Sequence, residues 1–404
     1  MNSTVASPRE RTLDILMAAG VPKKREGGVA TIVYNLGREM EQRGHRVTYL
    51  FLDDLVAPDS VSPRFSELIF SARLAKYIAA HRGKFSMLNL HAPAGLVYGL
   101  RRKWFGRRGG PPYVMTLHGL EERRVDVMTR EAKKGRAWNF GWKNQAWHRL
   151  YHFPRFRWAI RTADGAHAYS RDVWNLLQLK YRMAPERVAY IPNGVERRFF
   201  GSTRRYARGE TLRLLYAGTW LDQRGIFYIR DAMLRLAPRI PGLKLTIAGP
   251  GAPADEVMRF FGPQLAAHVE VRPVIAAGNM QELYAEHDIF VFPSLMEGLP
   301  SVLLEAMASG MPVITADTCG MPDVVTNDYN GLLVPPADAV ALENAIARLA
   351  ASEELRERLG RAAQELMKRY EWPRAAAELE ELFLRVVRAK ADVDAKTGAT
   401  SKRV

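Results

Sequence analysis

Glu297 and Glu305 stand eight positions apart in the run Pro293-Ser-Leu-Met-Glu297-Gly-Leu-Pro300-Ser-Val-Leu-Leu-Glu305. The segment Ile289–Phe292 before them reads as a strand, and Pro300 suits a helix start, where its fixed φ is preorganised and its missing N–H costs nothing. Glu297 and Gly298 therefore fall in a loop at a helix N-terminus. Unsatisfied N–H groups and the positive dipole end make such a place a seat for phosphate, and Gly298 lets a ligand approach the backbone. A carboxylate there makes chemical sense when hydroxyls are bound as well, with Glu297 accepting from a sugar and Glu305 from a ribose diol. Taken singly, Glu297 reads as a helix cap and Glu305 as a solvated surface acid. The whole string favours the ligand.

Such residues need elements to hold them. The strands expected from short apolar and β-branched runs are Leu13–Ala18, Arg46–Phe51, Ser86–Leu90, Tyr113–Leu117, Gly165–Tyr169 and Arg187–Ile191, then Leu212–Ala217, Leu243–Ala248, Val269–Arg272, Ile289–Phe292, Val313–Ala316 and Gly331–Val334. Between them lie helix-length segments with three- and four-residue apolar spacing, such as Thr31 to Gln42 closed by Gly44. Alternation of this kind means parallel sheets covered on both faces, and two such sets mean two doubly wound α/β domains facing across a cleft. In open parallel sheets ligands bind beyond the carboxyl ends of the strands, so the residues just after strands are the ones to inspect. We expect a first domain at 1–203 and a second at 204–374, with a helix at about 375–390 packing back on the first and a flexible tail at 391–404. Trp372-Pro373 interrupts the last helical region.

The string around Glu297 and Glu305 resembles the signature of the retaining GT-B glycosyltransferases of family four. Further similar segments follow in order: Gly27-Gly28, Thr116-Leu-His118-Gly119, Tyr190-Ile-Pro-Asn-Gly-Val195, Leu245-Thr-Ile-Ala-Gly249-Pro250 and Asn330-Gly-Leu-Leu-Val334. The resemblance implies two Rossmann-like domains. It implies that Glu297 contacts the donor sugar and Glu305 the ribose, that Gly298, Leu299 and Pro300 with the loop at Gly27 and Gly28 hold sugar and diphosphate, and that His118 meets a donor-sugar hydroxyl near the reacting centre. Without it His118 reads as a buried histidine at a strand end. In Gly218-Thr-Trp-Leu-Asp-Gln-Arg224-Gly225, Arg224 takes the family's lysine position and can hold two phosphate oxygens, whereas Thr219 replaces its arginine. One cation is thus missing, so either Trp220, Arg213 or a residue outside the motif compensates, or the donor is held less tightly. The resemblance implies a nucleotide-diphosphate-sugar donor, UDP- or GDP-linked or carrying another base, with the base met by backbone near Val274. The implied chemistry is front-face displacement without a covalent enzyme nucleophile, and, as no Asp-X-Asp run or histidine cluster offers an evident Mg²⁺ or Zn²⁺ site, without metal or other cofactor.

The 404 residues carry a formal charge of +16, but residues 1–200 hold 35 Lys/Arg against 17 Asp/Glu and the remainder 24 against 26. A basic half implies an anionic partner. Arg101, Arg102, Lys103 and Trp104, with Trp138, Trp142, Trp147 and Trp158 further on, combine cations with amphipathic aromatics suited to a lipid surface. The acceptor is accordingly expected to be lipid-linked or a glycan, met at an anionic membrane surface, with ordinary solvated helices as the plainer reading. No nucleic-acid signature accompanies the basic stretch, so a nucleic-acid binder is a weaker alternative, as is a nucleotide-sugar epimerase or sugar-phosphate synthase on the same fold. Composition is too apolar for a disordered chain, one cysteine, Cys319, permits no internal disulfide, and the polar start Met1 to Arg11 gives no expectation of a leader, so the expected address is the cytoplasm.

Overall fold

A computed structural model describes residues 12–23, 28–57, 61–104, 110–119, 121–138, 140–201, 206, 210–275 and 279–401. Its strands are β1 Asp14–Ala19, β2 Arg46–Phe51, β3 Met87–His91, β4 Tyr113–Leu117, β5 Gly165–Ala168, β6 Val188–Tyr190, β7 Leu212–Ala217, β8 Leu243–Ala248, β9 Val269–Arg272, β10 Ile289–Phe292, β11 Val313–Ala316 and β12 Leu332–Val334. They form two six-stranded sheets, ordered β2-β1-β3-β4-β5-β6 and β12-β11-β10-β7-β8-β9, with every pairing parallel. The two doubly wound α/β units expected from the sequence are thus present. Strand ends agree with expectation to within one residue.

The reason the strands form where they do is visible in their burial. β10 is Ile-Phe-Val-Phe with all four residues buried, and β11 is Val-Ile-Thr-Ala likewise. Strands covered on both faces bury every side chain, and each large apolar one removed from water contributes about 1.5–3 kcal/mol. The crossover helices keep one apolar face. In Gly28–Gln42, Ile32, Val33, Leu36 and Met40 are buried at three- and four-residue spacing.

Strand order reverses between β1 and β3 in the first sheet and between β7 and β10 in the second. Loops leaving two such neighbouring strands diverge to opposite faces and open a crevice at their carboxyl ends. The loops after β7 and β10 carry Arg224 and Glu297 respectively. Those after β1 and β4 carry Gly28 and His118, and His91 is the last residue of β3.

The last described helix, Trp372–Ser401, begins at Trp372 and Pro373 after a break from the helix Glu353–Met367, where the sequence predicts an interruption. It packs on helix Gly28–Gln42 and on β4, β5 and β6 of the first sheet, and Glu380 accepts from His45 Nε2 at 2.8 Å and pairs with Arg43. Its backbone stays helical to Ser401, where the sequence expectation places a flexible tail from 391. Alanine, lysine and aspartate in that stretch are compatible with a helix, and Lys390 pairs with Asp394 one turn on.

Candidate functional site

The second sheet supplies a cation and a carboxylate to one point. Arg224, at the end of the short helical turn Asp222–Arg224, pairs with Glu297 of the loop after β10. The guanidinium lies 5.5 Å from the Phe292 ring centre, and its Nε, buried, has no hydrogen-bond partner among the described residues. An Arg with one unmet N–H, half engaged by a carboxylate, is set to receive a second anion. Pro300 caps the helix Ser301–Ala308, as the sequence predicts, so Glu297 and Gly298 do sit just before a helix N-terminus. Glu305, on that helix, accepts from Tyr284 Oη at 2.9 Å. Burial pushes its carboxyl up to about 7, with the Tyr284 hydrogen bond opposing and Glu196 adding to the rise.

The first sheet meets this point from the other side. A Cβ placed on Gly298 would stand 1.8 Å from the carbonyl oxygen of His118, so only glycine permits this approach. Gly320 in turn packs on Gly298, where its Cβ would come within 1.9 Å of the Gly298 oxygen. Asn193 Nδ2 donates to Leu299 O at 3.0 Å, and Asp323 accepts from the Arg171 amide at 2.7 Å. Glu297, Arg224, Gly298 and His118 are thereby gathered between the two sheets at their switch points. Glu305 stands apart, near Tyr284, Glu196 and Arg198.

Residues 204–366 match the model of the glycosyl transferases group 1, and residues 26–199 that of glycosyltransferase family 4. The chain belongs to the GT-B glycosyltransferases of family four. Among its relatives, the glycogen synthase of Mycobacterium tuberculosis is 26% identical over 285 residues, covering 69% of this chain and 64% of the relative's length. The phosphatidyl-myo-inositol mannosyltransferase of Mycobacterium leprae is 25% identical over 384 residues, covering 88% and 92%. The same fold is seen in the sucrose-phosphate synthase of Thermosynechococcus elongatus, at a TM-score of 0.75 and 21% identity over 94% of this chain and all of that one.

In this glycosyltransferase the remaining sequence candidates fall as follows. Gly28 opens its helix at φ +69°, the left-handed region that favours glycine, while Gly27 lies outside the described residues. Gly218 and Gly249 follow β7 and β8, and exposed Thr219 accepts from Tyr216 Oη through its carbonyl at 2.9 Å. Val274, just beyond β9, is 84% exposed. Neither residue named as a substitute for the missing cation serves. Trp220 is buried against Phe260 and Phe261, and Arg213 lies at the amino end of β7, at the far edge of the sheet from Gly218.

On the basic surface one assignment is corrected. Arg102 is not a surface cation: it is 7% exposed and forks onto Asp164 at 2.5 and 3.2 Å, between the rings of Tyr98 and Tyr113. The helix Leu96–Trp104 turns positions 98, 99 and 102 inward, which leaves Arg101, Lys103 and Trp104 outward. Trp104 and Trp142 are 75% and 74% exposed. Trp138, by contrast, packs on Phe227 and Phe260 of the second unit.

Sequence reasoning missed a buried polar line behind His118. Asn89 and His91 on β3, Thr116 on β4 and His167 on β5 are all at most 2% exposed. His91 and Thr116 are register partners, as are Thr116 and His167, so all face the same side of the sheet. Polar residues recurring at strand ends that otherwise read as continuous apolar runs were the signal available.

Proposed function

We propose that this enzyme transfers a sugar, with retention of configuration, from a UDP- or GDP-linked donor to a lipid-linked or glycan acceptor in the synthesis of cell-surface polysaccharide, lipopolysaccharide or glycolipid, at the inner face of the membrane. The observation that carries the reading is the Arg224–Glu297 pair, with its unmet buried N–H, apposed to His118 across the cleft. Arg224 supplies the positive charge that a leaving diphosphate requires as its bond to the anomeric carbon lengthens, and the helix N-terminus after Pro300 adds to it. Glu297 and His118 meet sugar hydroxyls, and Glu305 the ribose. The leaving phosphate takes the acceptor's proton on the same face, so the protein's task is orientation and charge neutralisation without a metal ion. A relative named for mannosyl transfer to phosphatidyl-myo-inositol supports the lipid acceptor, as do the exposed Trp104 and Trp142 among cations. No helix among the described residues is long and apolar enough to cross a membrane, which fits peripheral attachment.

The test incubates the protein with radiolabelled UDP- and GDP-sugars, with and without bacterial membranes. Label in the organic phase with the donor's anomeric configuration supports retaining transfer to lipid. Isomerised donor would mean epimerisation instead. Turnover is expected to survive EDTA, and a loss restored by Mn²⁺ or Mg²⁺ would remove the metal-free mechanism.

A further inference from the structure

The buried line behind His118 has a direction. It starts at a group with no choice: the carbonyl of Ile191 can only accept, so His167 Nε2, 2.9 Å away, carries a proton. Burial holds His167 down at about 4, so the ring is neutral and its Nδ1 is a bare acceptor. Thr116 Oγ1, 3.4 Å from that nitrogen, must donate to it. Having one proton only, Thr116 must accept at its other contact, where Asn89 Nδ2 donates at 2.9 Å. This turns the Asn89 oxygen toward His91 Nε2 at 3.1 Å, which therefore bears the proton. Burial, with His118 and His167 alongside, holds His91 far below its ordinary value, so it too is neutral with Nδ1 bare. His118 Nε2, 2.7 Å from that bare nitrogen, is then the donor.

We propose that Ile191, His167, Thr116, Asn89 and His91 form a hydrogen-bond relay that fixes His118 in the Nε2–H tautomer and so presents its Nδ1 to the cleft solely as an acceptor of a substrate hydroxyl proton. Nδ1 has no hydrogen-bond partner among the described residues, and His118 is half-buried at the mouth of the cleft. The relay residues are positioning residues: none reaches the cleft, and each acts through the next. The His91 and His118 rings lie edge to edge, centroids 4.9 Å apart and planes 26° from parallel, and Tyr169 lies 5.0 Å from His118, which holds the ring's plane while the relay holds its proton. The inference rests on the transferase reading only in its last step, the hydroxyl that His118 accepts.

The tautomer can be read without any substrate. The 404-residue protein, ¹⁵N-labelled on histidine, is measured by nitrogen NMR beside Thr116→Val, which keeps the shape of the side chain and removes the hydroxyl, and Thr116→Ser, which keeps the hydroxyl. The wild type and Thr116→Ser should show His118 as a single Nε2–H tautomer. In Thr116→Val the Asn89 amide is free to turn over, so His91 and His118 should populate both tautomers, and kcat should fall about tenfold, the scale of one or two ordinary hydrogen bonds, with KM for the donor little changed. A wild-type His118 protonated on Nδ1 or present as a mixture overturns the proposal, and that measurement stands even if Thr116→Val does not fold. A His118 tautomer unaffected by Thr116→Val overturns it equally. Failure of transferase activity in the wild type with the tautomer pattern intact would strike the functional reading and leave the relay.

Discussion

Glu305 shows how far a side chain's surroundings decide what it can do. Its carboxyl, pushed up to about 7 by burial, is half protonated near neutrality. A ribose diol donates two hydrogen bonds, which a carboxylate accepts better than the acid does. Binding therefore favours the ionised form, so affinity for UDP or GDP should strengthen as pH rises from 6 to 8 and level off above. In Glu305→Gln, which has no proton to lose, that dependence should flatten. A thermal-shift titration at several pH values measures it, and parallel curves for the two proteins would mean that the nucleotide does not meet Glu305. The sign for folding is opposite. An unfolded Glu305 ionises at a lower pH than the folded one, so this residue lowers stability as pH climbs from its ordinary value, 4.5, toward 7. Gly298 makes a sharper residue-scale test: Gly298→Ala forces the His118 carbonyl away, and a displacement of about 1 Å in a reacting geometry can cost on the order of 10² in rate. Steady-state kinetics with kcat/KM near wild type would show that the two loops need not touch during turnover.

At the scale of elements, the helix Leu96–Trp104 serves two masters. One face carries Arg102 into a buried pair with Asp164, and the other presents Arg101, Lys103 and Trp104. Removing one partner of a buried pair strands the other charge, so Arg102→Ala should destabilise by about 3–5 kcal/mol and lower Tm on the order of 10 °C. Arg101→Ala, on the exposed face, should stay within about 0.5 kcal/mol of wild type. Differential scanning calorimetry distinguishes them, and equal melting temperatures would mean that the Arg102 fork contributes little. The sequence's basic run Arg101-Arg102-Lys103 read as one patch because three adjacent cations look alike until helical phase separates them. With 3.6 residues per turn, neighbours in sequence point roughly 100° apart.

For the whole molecule, the charge asymmetry and the exposed tryptophans belong to the first unit, while the Arg224–Glu297 pair proposed to meet the donor belongs to the second. Binding of the protein to anionic vesicles should weaken about thirtyfold on replacing Arg101 and Lys103 together by Ala, at about 1 kcal/mol each, and should fade as salt shortens the Debye length. Cosedimentation at low and high salt measures it. Binding that ignores both changes would assign the surface to something other than a lipid headgroup. The exposed Trp104 beside those cations is what favours the membrane over a solvated helix, and exposure is a property that the linear sequence does not carry.

The sequence by itself determined the architecture, because alternating apolar runs and helical spacing are local and each of the twelve strands announces itself within a few residues. It also determined the Glu297 loop, since Pro300 marks a helix start and a strand precedes it. Only the tertiary structure decided what meets what. That Arg224 reaches Glu297, that Gly298 lies on the His118 carbonyl, and that Arg213 sits at the wrong end of its strand all follow from strand order and from which end of a sheet a loop leaves. The relay behind His118 was hidden for the same reason. Its members come from β3, β4 and β5 and the chain beyond β6, separated by up to about a hundred positions in sequence, and parallel pairing alone brings them into one line of hydrogen bonds.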